Sequence, residues 1–381
     1  MDNRATASEV SASPQDCDRP NNAVIAAAGG IARWKAREIS VMLWDTPPTS
    51  RSVFANSRRA LDAAEQVRGA VAIWPSRVPT DFEARAARRG IAVWRLEDGF
   101  IRSVGLGSDC TPPSSIVLDQ RGIYYDASRP SDLEVMIEAG GFLPATLARA
   151  EALMARMINN GIGKYEIGRT SVPLPRDTRR RVLVVGQVED DLSVLTSGCG
   201  VAGNLDLLRR ARAAEPDAML VYRPHPDVDQ GHRKGRISDA EALHYADSVV
   251  RDGTMAGLIE QVDAVHVLTS LAGFEALMRG KAVVTHGHPF YAGWGLTADL
   301  AGPVPRRTRK ITLAELGAAT LILYPRYMDP LTGERCTAEK LIDRLASADY
   351  RPVVTMPMRF RRLQGRINRR IARLSIRLWL A

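Results

Sequence analysis

RRVLVVGQVEDD, residues 180–191, decides how this 381-residue chain is read. Its apolar core, Val182–Val185, predicts a short strand, and the strand breaks at Gly186 into a compact polar signature. Three later stretches repeat the arrangement: AMLVYRPHPD (218–227), DAVHVLTS (263–270) and KAVVTHGHP (281–289). Helices are predicted between them, over 204–214, 240–250 with 256–261, and 273–279. Strands alternating with helices argue a parallel sheet with helices on its faces. In such a sheet, ligands bind where the strands' carboxyl ends meet. All six histidines fall between His225 and His288. One region therefore gathers a carboxylate cluster, a His-Pro element, a Thr-Ser pair and a Gly-His turn.

Working outward, the first half repeats the alternation. Apolar runs EISVMLW (38–44), GAVAIWPS (69–76) and GIAVWRLED (90–98) are separated by helical stretches at 57–67 and 81–89. SSIVLDQRGIYYDASRPSDLE (114–134) predicts a strand, a turn at Gly122, a second short strand and a helix entered near Ser131. Residues 147–159 are helical, and 312–324 predict a helix opened by a Thr312–Glu315 capping box. SVPLPRDTRR (171–180), polar and with two prolines, is the expected linker. The predicted organisation is a disordered lead over 1–22, an α/β domain over 23–170, the linker, a second α/β domain over 181–350 and a tail over 351–381. The length suffices for two domains, each with its own core.

The net charge of +9 is concentrated in the tail. Residues 359–381 hold eight arginines and no acid, so the rest of the chain is nearly neutral. That removes the main support for a nucleic-acid-binding body. Phe360, Leu363, Ile367, Ile371, Leu374 and Leu378 recur every three or four residues and form one apolar stripe on an Arg-rich helix. Such a helix suits an anionic membrane surface; the plainer reading docks it on the protein body. No apolar run approaches the roughly 20 residues that span a bilayer. The polar first 20 residues, with no apolar run, do not read as a secretion signal. The four cysteines are scattered, with no CxxC pair, so neither a disulfide framework nor a zinc site is indicated. A reducing cytosol is the simplest compartment.

Each motif carries a chemical reading and a structural one. His225 and Arg223 stand at a strand end, where Pro226 holds the imidazole in a loop that suits a phosphate; a satisfied loop histidine is the alternative. Thr269 and Ser270 precede a helix starting near Gly273, with Glu275 in its first turn. That is an anion site, or a cap with a dipole-compensating acid. Glu275 can also accept from a ribose hydroxyl. Glu189, Asp190 and Asp191 are costly side by side unless solvated, paired or used, and a nucleophile or base in sugar chemistry is one use. THGHPFYAGWGLTAD (285–299) brings His288, Phe290, Tyr291 and Trp294 together in a loop that can shape a sugar pocket or pack an interface. In the first half, Glu97, Asp98 and Arg102, with Tyr125 and Asp126, would face the second domain and handle an acceptor; a Glu97–Arg102 ion pair is the structural reading. No Walker A, GxGxxG, HExxH or DxD-like metal element is found, so no metal is expected.

Taken together, EDGFIRSVGLGSD, PPSSIVLDQRGIYYDASRPSDLE, VLVVGQVEDDLSV, YRPHPDV, LTSLAGFEALMRGK and PFYAGWGLTAD resemble the β-Kdo transferases of capsular polysaccharide synthesis, the KpsC type. The resemblance runs from about residue 94 to 344, with its motifs in the same order. It implies a GT-B fold, two Rossmann-like domains facing across a cleft, with length here for a single transferase module. It implies CMP-β-Kdo as donor, retention of configuration, no cofactor and no metal. It places Asp191 at the nucleophile position, with Asp190 second, His225 and Ser270 at the donor phosphate, and Glu275 at the ribose. Glu97, Asp98 and Arg102 match the family's first-domain motif. The implied acceptor is a glycolipid or polysaccharide at the inner membrane, where the basic tail and other capsule assembly proteins would hold a cytoplasmic enzyme. Two other functions stay open: a GT-B relative with another activated donor, and a non-catalytic export scaffold.

Overall fold

The computed structural model describes residues 24–46, 52–101, 111–163 and 167–347. Arg102 and the expected basic tail, 351–381, therefore lie outside the described residues. Among the described residues, twelve strands form two six-stranded sheets. The first holds β1 (Ile25–Gly29), β2 (Ala70–Ile73), β3 (Val93–Asp98) and β4 (Ser115–Asp119). The second holds β5 (Arg181–Val185), β6 (Met219–Arg223), β7 (Ser248–Val249), β8 (Ala264–Val267), β9 (Ala282–Thr285) and β10 (Ala298–Asp299). The chain then returns to the first sheet with β11 (Pro325–Met328) and β12 (Arg335–Cys336).

The second sheet is parallel throughout, in the order β10-β9-β8-β5-β6-β7. Alternate side chains of β5 enter different cores, as the two-residue period of a strand requires. Val182 and Val184 pack with Leu207, Leu208 and Ala211 of helix Asn204–Ala214. Leu183 and Val185 pack with Leu258, Ile259, Phe274 and Leu277 of the helices on the other face. This double burial explains why the stretch reads as continuously apolar. The strand order reverses between β5 and β8, so the crevice at their carboxyl ends is the topological switch point.

The first sheet is mixed, in the order β1-β2-β3-β4-β11-β12, with β1 to β3 parallel and the rest antiparallel. It corrects several expectations. EISVMLW is not a strand but most of helix Ala36–Leu43, whose buried residues Ile39, Met42 and Leu43 follow helical spacing. The strand at that point is IAAAG, where alanine's weak strand preference is overridden by burial on both faces. The second short strand expected near Tyr124 is a turn. The predicted helix 240–250 stops at Leu243, and its end becomes edge strand β7. The helix of 312–324 has its Thr312–Glu315 capping box but widens to π-helix over Ala318–Leu323.

The unit expected over 181–350 does not hold together to its end. β11 closes the open edge of β4, and helix Ala338–Ala346 buries Leu341, Ile342 and Leu345 in the same core as Leu153 and Met157. A proline-led, four-residue strand carries little strand signal, which is why the return is not legible. Asp119, fully buried at the end of β4, anchors it. Its carboxylate accepts from the backbone of Arg121, Gly122 and Asp132 and from the Tyr324 hydroxyl. A single core cluster runs from Phe100, Ile101 and Leu133 to Leu183, Phe274 and Trp294, so the two sheets share apolar contact. Glu134, buried in the first unit, pairs with Arg306 and Arg307 of the second at 2.6 and 3.0 Å. No helix among the described residues is long and apolar enough to cross a membrane.

Candidate active site

A cavity of about 850 Å³ opens between the carboxyl ends of the two sheets. From the second sheet it is lined by Asp190, Asp191, Arg223, His225, Thr269, Ser270 and Glu275; from the first by Glu97, Asp98 and Tyr125; and by Phe290 from the loop after β9. The strand ends singled out in the sequence thus meet in one place.

Asp191 is the N-cap of helix Leu192–Ser197. Its Oδ1 accepts from the Ser193 backbone N–H at 3.0 Å and the Ser193 hydroxyl at 2.8 Å. Both bonds fall on one oxygen, and the residue lines the cavity. Behind Ser193 lies a directional chain. Gln187 Nε2 donates to Thr269 Oγ1 at 2.9 Å, and Thr269 Oγ1 donates to Ser193 Oγ at 3.3 Å. The Thr269 backbone N–H donates to Gln187 Oε1 at 2.6 Å, so Gln187 spans β5 and β8 at the switch point. Asn204 fixes the Gln187 backbone from both sides, at 2.8 Å each. Sequence reading passed over Gln187, Ser193 and Asn204. Gln187 lay inside a quoted motif, but an uncharged amide beside three acids carried no signal of its own.

The other two acids part from Asp191. Asp190 lines the cavity but is paired with Arg233 at 3.0 Å. Glu189 turns away, and its Oε1 accepts from the Asn204 N–H at 2.8 Å, compensating the first turn of a helix. The three acids thus differ in their partners: Asp191 is held by Ser193, Asp190 is paired with Arg233 and Glu189 bonds a helix end.

Arg223 is buried and spends its guanidinium on the carbonyls of Asp252 and Gly253, both at 2.9 Å, so it braces the loop after β7. His225 caps the short helix Pro226–Asp229, and its Nδ1 accepts from the Asp227 N–H at 3.1 Å. That bond makes Nε2 the proton-bearing nitrogen of the neutral ring. Ser270 is not the N-cap, which is Leu271; its Oγ accepts from the Ala272 N–H at 3.3 Å from one residue further out, and it lines the cavity. Glu275, 5% exposed, sits on the same wall one turn further on.

Gly273 is not among the residues lining the cavity. A Cβ there would stand 2.2 Å from the Tyr291 hydroxyl, so the glycine makes room for that buried ring. Tyr291 is fully buried and donates to the Ser270 carbonyl. Trp294, also fully buried, donates to the Phe290 carbonyl at 2.9 Å. His288 lies between Cys199 Sγ and the Gly302 carbonyl, each at 3.1 Å, and its backbone N–H donates to the Ser197 carbonyl at 2.8 Å. Of the loop expected to shape a sugar pocket, Pro289 and Phe290 line the cavity, while Tyr291 and Trp294 are buried behind it and His288 ties the loop to the end of the helix capped by Asp191. The Phe290 ring packs 4.8 Å from Phe100 and 5.8 Å from Tyr124 across the sheets.

On the opposite wall, the Tyr125 hydroxyl is buried without a hydrogen-bond partner. Burial, then the charge of Glu97, then Tyr124 and Asp191, push its phenol well above the ordinary range. Glu97 and Asp191 thus bear on one phenol from the two sheets. Asp126 does not reach the cavity. It is a turn residue that accepts from the Ser128 N–H at 3.0 Å and lies 3.8 Å from Arg129. Among the described residues, no group of three His, Cys, Asp or Glu is arranged to hold a metal ion. Trp34, Lys35, Trp74 and Arg77, which sequence reading left aside, complete the first-sheet wall.

One mixed and one parallel sheet, with a cavity between their carboxyl ends, define an α/β protein. The chain belongs to the capsule polysaccharide biosynthesis protein family, whose model matches residues 69–171 and 143–327. It is 44% identical over 254 residues to the capsule polysaccharide modification protein LipA of Neisseria meningitidis. It is 46% identical over 266 residues to the lipopolysaccharide-processing protein LpsZ of Rhizobium meliloti. These matches cover 67% and 68% of this chain but 36% of LipA and 60% of LpsZ, so the chain spans only part of either relative. Two solved structures from Thermosulfurimonas dismutans are similar over 84% of this chain. They are the KpsC β-Kdo 2,7 transferase (36% identical, 97% of that chain, TM-score 0.68) and the KpsC β-Kdo 2,4 transferase (32% identical, 98%, 0.70). The KpsC-type resemblance read from the motifs is therefore met by both sequence and fold.

Proposed function

We propose that the chain is a retaining glycosyltransferase of GT-B architecture that moves Kdo from CMP-β-Kdo to a glycolipid or polysaccharide acceptor in capsule or surface-glycan assembly. The observation that carries this reading is the Asp191 carboxylate, held at one oxygen twice by Ser193 and lining a cavity between two sheets. Retention through a carboxylate requires two displacements. In the first, Asp191 Oδ2 attacks the anomeric carbon, the bond from that carbon to the CMP phosphate oxygen breaks, and the electron pair leaves with CMP. In the second, an acceptor hydroxyl displaces Asp191, and its proton passes to a base. Glu97 and Asp98, which line the first-sheet wall of the cavity, would take it. His225 Nε2–H and the Ser270 hydroxyl would meet the phosphate, and Glu275 the ribose. No cofactor or metal is invoked. The basic tail would hold the enzyme on the anionic inner face of the membrane, near other capsule assembly proteins.

The test is incubation of the purified chain with CMP-Kdo generated in situ and a synthetic glycolipid bearing one or two Kdo residues. CMP release with a mass gain of one Kdo, in β-linkage, is the expected result. Absence of CMP release with every acceptor would remove the reading.

A further inference from the structure

We propose that Tyr125 is a further catalytic residue, whose phenol O–H donates a hydrogen bond to an oxygen of the sugar carried between Asp191 and the first-sheet wall. This inference rests on the transferase reading above. It adds a first-sheet group that touches the transferred sugar and not the nucleotide. Buried polar atoms are paired in nearly all native structures, so each exception calls for an explanation. The Tyr125 hydroxyl is such an exception: it is covered by protein and has no hydrogen-bond partner, yet the residue lines the cavity.

Tyr125 is fixed at its backbone and at its ring. It follows β4 in a turn closed by the Asp126 N–H, which donates to the Ile123 carbonyl at 3.0 Å. The Tyr125 carbonyl accepts from the Ser197 hydroxyl at 2.7 Å, and the same Ser197 oxygen accepts from the Ala127 N–H at 2.9 Å. Ser197 is 1% exposed and ends the helix whose N-cap is Asp191. The clamp therefore ties the first-sheet turn to the element that carries the nucleophile. The ring stands edge-on to Tyr124, 5.5 Å between centroids, and Tyr124 packs in turn on Phe290. A phenol oxygen lies on its ring axis, so turning the ring does not carry it to another partner. Burial first, then Glu97 from one sheet, with smaller contributions from Tyr124 and from Asp191 on the other sheet, hold the proton on. The phenol is thus a donor through the neutral range and not a base.

In the double displacement, the sugar sits between Asp191, which bonds its anomeric carbon, and the first-sheet wall, where the acceptor's proton leaves. A donor fixed beside both meets a sugar oxygen when the substrate arrives. The residues assigned to the nucleotide, His225, Ser270 and Glu275, line the other wall. Because the bond forms only with the sugar in place, the hydroxyl contributes to turnover and not to folding.

Tyr125→Phe keeps the ring and removes the oxygen alone. Thermal melts, calorimetric CMP binding and CMP release from CMP-Kdo, all on the full chain, test the assignment. The melting temperature is expected to equal or exceed the parent's, because no native hydrogen bond is lost. CMP affinity is expected to stay within about twofold, and kcat/KM for transfer to fall about tenfold. A lower melting temperature means that the oxygen has a structural partner, and overturns the assignment. So does a loss of CMP affinity that matches the loss of rate, or a fall in kcat/KM of less than about threefold. A parent that transfers Kdo beside an equally active variant removes the role of Tyr125 alone. A parent that releases no CMP with any acceptor removes the transferase reading, and this role with it.

Discussion

Asp191 has two duties at one carboxylate, and they separate experimentally. As N-cap it satisfies a helix end; asparagine does this about as well, at a cost of a few tenths of a kcal/mol. As nucleophile it needs a charge, which asparagine lacks. Asp191→Asn is therefore expected to keep the melting temperature within about 2 °C while lowering Kdo transfer by at least about 10³-fold. Ser193→Ala keeps both the backbone bond and the nucleophile. It removes one hydrogen bond of about 1 kcal/mol, so a several-fold fall in kcat with little change in KM is expected. Steady-state rates of CMP release, beside thermal melts, check both. At this scale the sequence was informative about residue types but not about directions. GQVEDD offered three acids in a row, and only their partners, Ser193, Arg233 and the Asn204 N–H, divide them into held, paired and capping groups.

The strands of the second sheet carry a buried pair that titrates. His266 on β8 and His286 at the end of β9 approach to 3.1 Å. Burial pushes both down to about 4, with further contributions from Arg180 on His266 and from His266 on His286. Both native values lie below the ordinary 6.5 of a free imidazole. As pH falls through 6.5 the unfolded chain takes up protons that the folded chain refuses, so this stability is present above 6.5 and is lost toward 4. Each group accounts for roughly 3 kcal/mol across that window, at about 1.4 kcal/mol per pH unit. Asp119 acts with the opposite sign. Burial and Asp132 raise it to about 6, so the folded chain binds its proton first and gains stability as pH falls. The diagnostic is therefore a difference between proteins: His286→Asn is expected to flatten the fall in melting temperature between pH 6.5 and 4.5 relative to the parent. The helix at 36–43 shows what was illegible among elements. EISVMLW has the composition of a strand, and its helical spacing became decisive only once Ile39, Met42 and Leu43 were seen to share one buried face.

At the scale of the molecule, the two sheets are joined by apolar contact and by the Glu134–Arg306–Arg307 cluster. Glu134 and Arg307 are 6% and 3% exposed, so removing the acid leaves a buried guanidinium uncompensated. Glu134→Ala is expected to destabilise the fold by about 3–5 kcal/mol in urea or guanidinium titration. If the tail holds the enzyme on membranes, deleting 359–381 moves the protein from the membrane fraction to the soluble one without changing its circular dichroism. Unchanged fractionation rejects that role.

The sequence by itself determined the parallel sheet of the second half, its strand ends and the family, because apolar runs followed by polar signatures are local patterns. It also located the basic character in the tail, which is a matter of counting. Only the tertiary structure decided that residues 325–347 return to the first sheet, that Gln187 bridges the switch point, and that Trp34, Lys35, Trp74 and Arg77 face the same cavity as Asp191. Those facts depend on edge pairing and on loop ends brought together from distant parts of the chain. No periodicity encodes them, because the energy that selects them comes from burial and hydrogen bonding between segments rather than within one.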